Sequence, residues 1–172
     1  MTDRPIIFSG PMVLALLDGR KTQTLRLVTS PLAKAQPGDR LWVREAFRLR
    51  ADQDHKPPSQ DWWKSTASYA ADGAAPTGCG GGPGKLRPSI HMPRWVSRLT
   101  LVVIAVRLER LKDIKRADVI AEGDSNCVDD PLFFPAIWDT LHKPGARWED
   151  NPRVVVLTFT VHQQNIDRLG DA

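Results

Sequence analysis

The sequence predicts an α+β fold, a small mixed β-barrel with flanking helices, and three observations carry that expectation. Two runs rich in apolar and β-branched residues, Leu99 to Leu108 and Arg153 to Val161, read as its main strands. Short helical patterns fall between strands without the regular alternation that βαβ units require. The chain has 172 residues, enough to bury a core but a squeeze for two full domains, so residues 1–172 are expected to form one domain.

Taken in order, Pro5 to Ser9 reads as a short strand and Pro11 to Asp18 as a helix with proline in its first turn. Gly19, of the residue type that ends helices in the left-handed conformation, closes it, and Lys21 to Val28 continues as an extended segment. Pro37-Gly38-Asp39 forms a turn into a strand from Arg40 to Phe47. The two-residue period of that strand puts Leu41, Val43, Glu45 and Phe47 on one face. A carboxylate among three apolar neighbours lies either at the open end of the strand or on a pocket wall.

From residue 50 to residue 88 the composition shifts to Asp, Pro, Ser, Gly and Ala, which marks an insertion loop. The run Gly78 to Gly84 follows no strand and is closed by no Gly-Lys-Ser/Thr, so it reads as flexible linker and not as a phosphate cradle. Trp62 and Trp63 argue that part of the insertion folds back onto the body. Beyond the Leu99 strand, Lys112-Asp113-Ile114 leads into a short helix through Ala117, Ile120 and Ala121 that stops at Gly123. A second helical segment runs to Leu141, with Phe134, Ile137, Trp138 and Leu141 at helical spacing and Pro131 or Pro135 in its first turn.

The net charge of +4 and a pI near 9.3 permit a nucleic-acid or nucleotide partner without demonstrating one. Cys79 and Cys127 lie far apart in different contexts and spell no disulfide framework or metal knuckle. Four scattered histidines have no cysteine or carboxylate at ligand spacing, so no metal and no cofactor is expected. The N-terminus lacks the apolar core of a signal peptide and no run reaches membrane-spanning length, which makes the cytoplasm the expected compartment. No obligate protein partner is evident.

The densest chemistry lies in Gly19-Arg20-Lys21-Thr22-Gln23-Thr24-Leu25-Arg26, where two arginines, a lysine and two hydroxyls fall within eight residues. Basic side chains after a helix C-terminus complement its dipole and cap its carbonyls without any ligand. The same cluster also suits an anionic or polar ligand.

The particular string, Gly-Arg-Lys-Thr-x-Thr-x-Arg followed by Pro37-Gly38-Asp39-Arg40-Leu41-Trp42-Val43, resembles the opening of the ASCH domain, a PUA-like β-barrel family. At this motif it is similar to the bacterial N(4)-acetylcytidine amidohydrolases. The resemblance covers roughly Pro5 to Val28, Pro37 to Phe47, Leu99 to Gly123 and the last strand. The longer insertion and the string Pro88-Ser89-Ile90-His91-Met92-Pro93-Arg94-Trp95 resemble ASCH proteins of phages and prophages.

The resemblance implies a hydrolase that removes the acyl group from the exocyclic amine of cytosine bases or nucleosides. Its catalytic lysine, threonine and glutamate fall by motif on Lys21, Thr24 and Glu122. In that scheme Thr24 is the nucleophile or positions a water, Lys21 is a base if desolvation lowers its pKa, or else a cationic oxyanion stabiliser, and Glu122 orients Lys21 or shuttles protons. Glu122 sits at a helix C-terminus, where a carboxylate opposes the dipole. Residues three apart on a strand face opposite sides, so Lys21 must lie in the turn before the strand for its side chain to reach the face of Thr22, Thr24 and Arg26.

Around this set, Arg26 and Arg44 are candidates to hold a ribose or phosphate, and Trp42 or Trp95 to stack on a base, although both tryptophans also read as core. His91 and Glu45 are candidate pocket residues, and Arg20 reads as a solvated neighbour. The expected partner is a modified cytosine nucleoside or RNA. Two other functions fit the same residues: a PUA-like module that binds RNA or a modified base without chemistry, and a ribonuclease with Lys21 as its base.

Overall fold

The computed structural model describes residues 1–55, 57, 67–73, 82–123 and 133–170. Seven strands and three α-helices are defined among them: β1 (Asp3–Ile7), α1 (Gly10–Leu17), β2 (Gln23–Leu27), β3 (Arg40–Arg44), β4 (Phe47–Arg48), β5 (Ser68–Tyr69), β6 (Thr100–Arg110), α2 (Arg116–Ala121), α3 (Phe133–Leu141) and β7 (Arg153–His162). Each main element expected from the sequence is present, with ends displaced by one to a few residues, as fraying ends allow. The fold is mixed α+β.

Five strands form one sheet in the order β1-β3-β6-β7-β2, and β4 pairs with β5 in a separate two-stranded sheet. The β1–β3 ladder is parallel, Asp3 opposite Arg40, and the β2–β7 ladder is antiparallel, Gln23 opposite Thr158. No ladder closes the sheet into a barrel among the described residues, which departs from the expected barrel.

The edge of β2 gives a physical reason. Phe159 N–H donates to the Thr22 carbonyl and Val28 N–H to the Arg153 carbonyl, so even-numbered residues face β7. By the alternation of an antiparallel ladder, the polar groups of Gln23 and Leu25 face outward. Side chains take three of these four: Lys21 the Gln23 carbonyl, Glu122 the Leu25 N–H and Arg26 the Leu25 carbonyl. An edge with these groups already engaged offers fewer bonds to another strand.

The described residues cluster into two compact units. One comprises residues 1–2, 15–39 and 102–161, the other residues 3–14, 40–101 and 162–172. The first has a core of Leu25, Leu111, Trp138, Val154 and Val156, with Phe134 and Trp148 packed against it. Phe134 meets Trp148 edge-on at 6.1 Å, and Trp138 stacks on His142 at 3.9 Å, contacts that fix the end of α3.

The second unit has a core of Phe47, Leu49, Met92 and Val96, against which Ala67, Tyr69 and Trp95 pack. The alternation expected from Leu41 to Phe47 is present: Leu41, Val43, Glu45 and Phe47 are all buried. Within the expected insertion, Ser68–Tyr69 pairs with Phe47–Arg48, so this part packs on the body. Trp62, Trp63, Cys79, Cys127, Pro131 and residues 78–81 of the glycine run lie outside the described residues. Among the described residues no helix is long and apolar enough to cross a membrane.

Candidate functional site

α1 ends at Leu17, and Gly19 turns the chain with φ 72°, donating its N–H to the Leu16 carbonyl. Lys21 therefore falls in the turn, two residues before β2 begins. Its N–H donates to the Ala15 carbonyl at 3.0 Å, and its side chain is closed to solvent.

The Lys21 ammonium has three acceptors: the Gln23 carbonyl at 2.9 Å, the Glu122 carbonyl at 2.8 Å and the Glu122 carboxylate. They match the three N–H donors of the charged form. Burial draws Lys21 below the ordinary lysine value, Glu122 opposes that shift by charge and hydrogen bond, and the charge of Arg26 adds to it.

Glu122 is the residue at which α2 ends, and one side of its chain remains open, at 12% exposure. The dipole objection to a carboxylate here is met by its partners, Lys21 on one oxygen and the Leu25 N–H on the other. The carbonyls at this helix end are satisfied in sequence by the motif. Thr22 N–H reaches the Ala121 carbonyl, Lys21 Nζ the Glu122 carbonyl, and Arg20 Nη1 the Gly123 carbonyl at 3.0 Å. Arg20, expected to be a solvated neighbour, is exposed, and it also caps α2 and pairs with Asp18 at 2.9 Å.

Gly123 makes this approach possible. It has φ 89°, and a Cβ there would stand 2.7 Å from Lys21 Cβ and 2.9 Å from Ala15 Cβ. From sequence it read only as a helix stop; the glycine after Glu122 was the available signal, but the close approach depends on a partner far away in the chain.

Thr24 is closed to solvent. Its Oγ1 accepts a hydrogen bond from Arg26 Nη1 at 2.8 Å, and the same nitrogen reaches the Leu25 carbonyl at 2.8 Å. Burial lowers the pKa of Arg26 and the charge of Glu122 opposes that. Thr22 is exposed. The structure therefore brings Lys21 and Glu122 into direct contact, with Thr24 and Arg26 on the strand whose edge that pair caps.

The other candidates belong to the second unit. Arg44 donates from Nε to the Met92 carbonyl at 3.1 Å and from Nη2 to the Ile90 carbonyl, and its guanidinium lies 5.3 Å from the centre of the Trp42 ring. It clamps the segment that carries His91, which is itself exposed. Trp95 packs against the Phe47 cluster and also lines a cleft of about 550 Å3 shared with Tyr69, Arg98, Asn165 and Arg168.

Glu45 is 1% exposed and is taken by Arg98, which bonds both its oxygens at 2.9 and 3.0 Å. The same guanidinium bonds Asp72 at 2.7 and 2.8 Å and lies 4.0 Å from the centre of the Tyr69 ring. Burial raises the Glu45 pKa, against the hydrogen bond and charge of Arg98, and pushes Tyr69 up to about 12. Burial works to lower Arg98, but its bonds to Glu45 and Asp72 carry it above the ordinary value. Arg98 and Asp72 had no signal in the sequence. Among the described residues no group of three or more His, Cys, Asp or Glu is placed to hold a metal ion.

No protein-family model matches the chain, and no curated protein matches it significantly. The chain is similar in structure to an ASCH domain from Lactobacillus crispatus solved by crystallography, at 12% identity and a TM-score of 0.44, over 93% of this chain and 79% of that one.

Proposed function

We propose that the chain is an amidohydrolase that removes an acyl group from the exocyclic amine of a cytosine base or nucleoside, with Lys21, Thr24 and Glu122 as its reacting set. The observation that carries this reading is the Lys21–Glu122 contact at the edge of the strand that carries the fully buried Thr24. Buried lysines carry shifted pKa values and serve as bases in catalytic sites.

In the resting state Lys21 is the ammonium its three acceptors call for. Glu122 takes one proton, and the neutral amine then accepts the proton of Thr24 as Oγ1 bonds the acyl carbon and the carbonyl electron pair moves to oxygen. As the C–N bond breaks, Lys21 returns the proton to the departing exocyclic nitrogen. Water then adds to the Thr24 ester as Lys21 takes its proton, Lys21 passes that proton to Oγ1 as the C–O bond breaks and the carboxylic acid leaves, and Glu122 returns its proton to Lys21.

A second reading has its own observation. Lys21 and Thr24 are closed to solvent, and every Lys21 donor is engaged by the protein, as a purely structural cap requires. On that reading the chain is a binding module for RNA or a modified base.

Incubation with N(4)-acetylcytidine, followed for cytidine, separates the two. The hydrolase reading expects turnover that is abolished in Thr24→Val, which also takes one acceptor from Arg26 and is therefore assayed below its own melting transition. Lys21→Ala and Glu122→Ala abolish it too, with loss of stability. Absence of turnover together with salt-sensitive RNA binding overturns it in favour of the binding module. RNA shortening in the same tubes identifies a ribonuclease.

A further inference from the structure

We infer that Arg26 acts on Thr24 and not on the substrate: its guanidinium holds the threonine oxygen and stabilises the negative charge that develops there. This rests on the hydrolase reading and adds a residue to it. The two residues are two apart on β2, so their side chains leave the same face, and Nη1 lies 2.8 Å from Oγ1.

Chemistry fixes the direction of that bond. A guanidinium has donors and no acceptor, so Thr24 Oγ1 must accept and its own proton must point elsewhere. Arg26 thereby selects the rotamer of a hydroxyl whose proton is available to a base. The bond from Nη1 to the Leu25 carbonyl anchors the guanidinium to the strand that carries Thr24, so donor and acceptor keep their geometry together.

Charge appears on Oγ1 twice in the proposed cycle. It appears first as Thr24 gives up its proton and attacks the acyl carbon, and again when water has added to the ester and Oγ1 leaves as the C–O bond breaks. A fixed cationic donor in a water-excluded site stabilises both states. In a substrate-binding role, by contrast, Arg26 would contribute equally to ground state and transition state.

Steady-state kinetics on N(4)-acetylcytidine with wild type, Arg26→Gln and Arg26→Lys tests this, each protein assayed below its measured melting transition. Arg26→Gln is expected to lower kcat by about 10²-fold, as for loss of one oxyanion donor, with KM changed less than about twofold. Arg26→Lys is expected to recover part of kcat, since it restores a cationic donor. A rise in KM at unchanged kcat, or kinetics like wild type, overturns the inference while leaving the hydrolase reading standing. Absence of turnover in wild type removes the hydrolase reading itself and the inference with it.

Discussion

Lys21 and Glu122, 101 positions apart in the chain, meet at the outer edge of β2 and serve the backbone as well as each other. Lys21 donates to the Gln23 carbonyl and Glu122 accepts from the Leu25 N–H, so an ion pair stands where a neighbouring strand would. Any chemistry at this pair is built on a structural contact, and its variants must be read for stability before activity.

Removing one member of the pair leaves the other without its counter-charge at a largely buried position. Lys21→Met is expected to cost about 3–5 kcal/mol in urea unfolding, the range for breaking a buried pair. Glu122→Gln retains an acceptor for the Leu25 N–H and should cost less. A loss below about 1 kcal/mol for Lys21→Met would show that the contact contributes little.

Gly123 tests the same junction from the other side. An alanine there must hold φ 89° and place a methyl 2.7 Å from Lys21 Cβ. The strain and the displaced turn together are expected to cost about 1–3 kcal/mol, and melting should fall by about 2–4 °C per kcal/mol for a chain of this size. A melting point equal to wild type would mean that the turn gives way freely.

How far the sequence revealed these arrangements depends on the range of the interactions. The alternation that buries Leu41, Val43, Glu45 and Phe47 is local, and period alone predicts it. The placement of Lys21 before β2 was expected only once the resemblance paired it with Thr24, since strand geometry then puts residues three apart on opposite faces. The bridge of Arg98 between Glu45 and Asp72 was not legible because Arg98 lies 53 positions from Glu45 and 26 from Asp72, in segments with no periodic pattern. That the exposed Arg20 also caps α2 was not legible, because its acceptor, the Gly123 carbonyl, arrives from 103 positions away. The barrel expected from the order of elements is not closed by any ladder among the described residues, and side chains engage three groups on the outer edge of β2, an arrangement that element order does not reveal.

Asp3 should shape the acid limb of stability. Its carboxylate is held below the ordinary value of 3.8 by Arg40, at 2.8 Å, and by Arg94, at 2.6 Å, with burial opposing. A carboxyl lowered in the folded state contributes stability that is present above 3.8 and lost as pH falls through its folded value. Asp3→Asn should therefore flatten the fall in unfolding free energy below that pH. A slope unchanged from wild type would rule Asp3 out as a contributor.

Glu45 has the opposite sign, and that contrast makes it the sharper test. Burial raises its pKa above the ordinary 4.5, although Arg98 pulls it down. A carboxyl raised in the folded state contributes stability that is present below its unfolded value and lost as pH rises through the folded one. In wild type this loss is limited, because Arg98 bonds both oxygens of the ionised group. Arg98→Met takes away the main opposition to burial, so the Glu45 pKa should climb further and the loss should deepen from about pH 4.5 upward. The variant should be most stable relative to wild type in mild acid and progressively less so toward neutrality, measured by urea unfolding across that range. Adding Glu45→Gln should abolish the slope, since the group that titrates is gone. If the slope persists in the double variant, the titrating group is not Glu45.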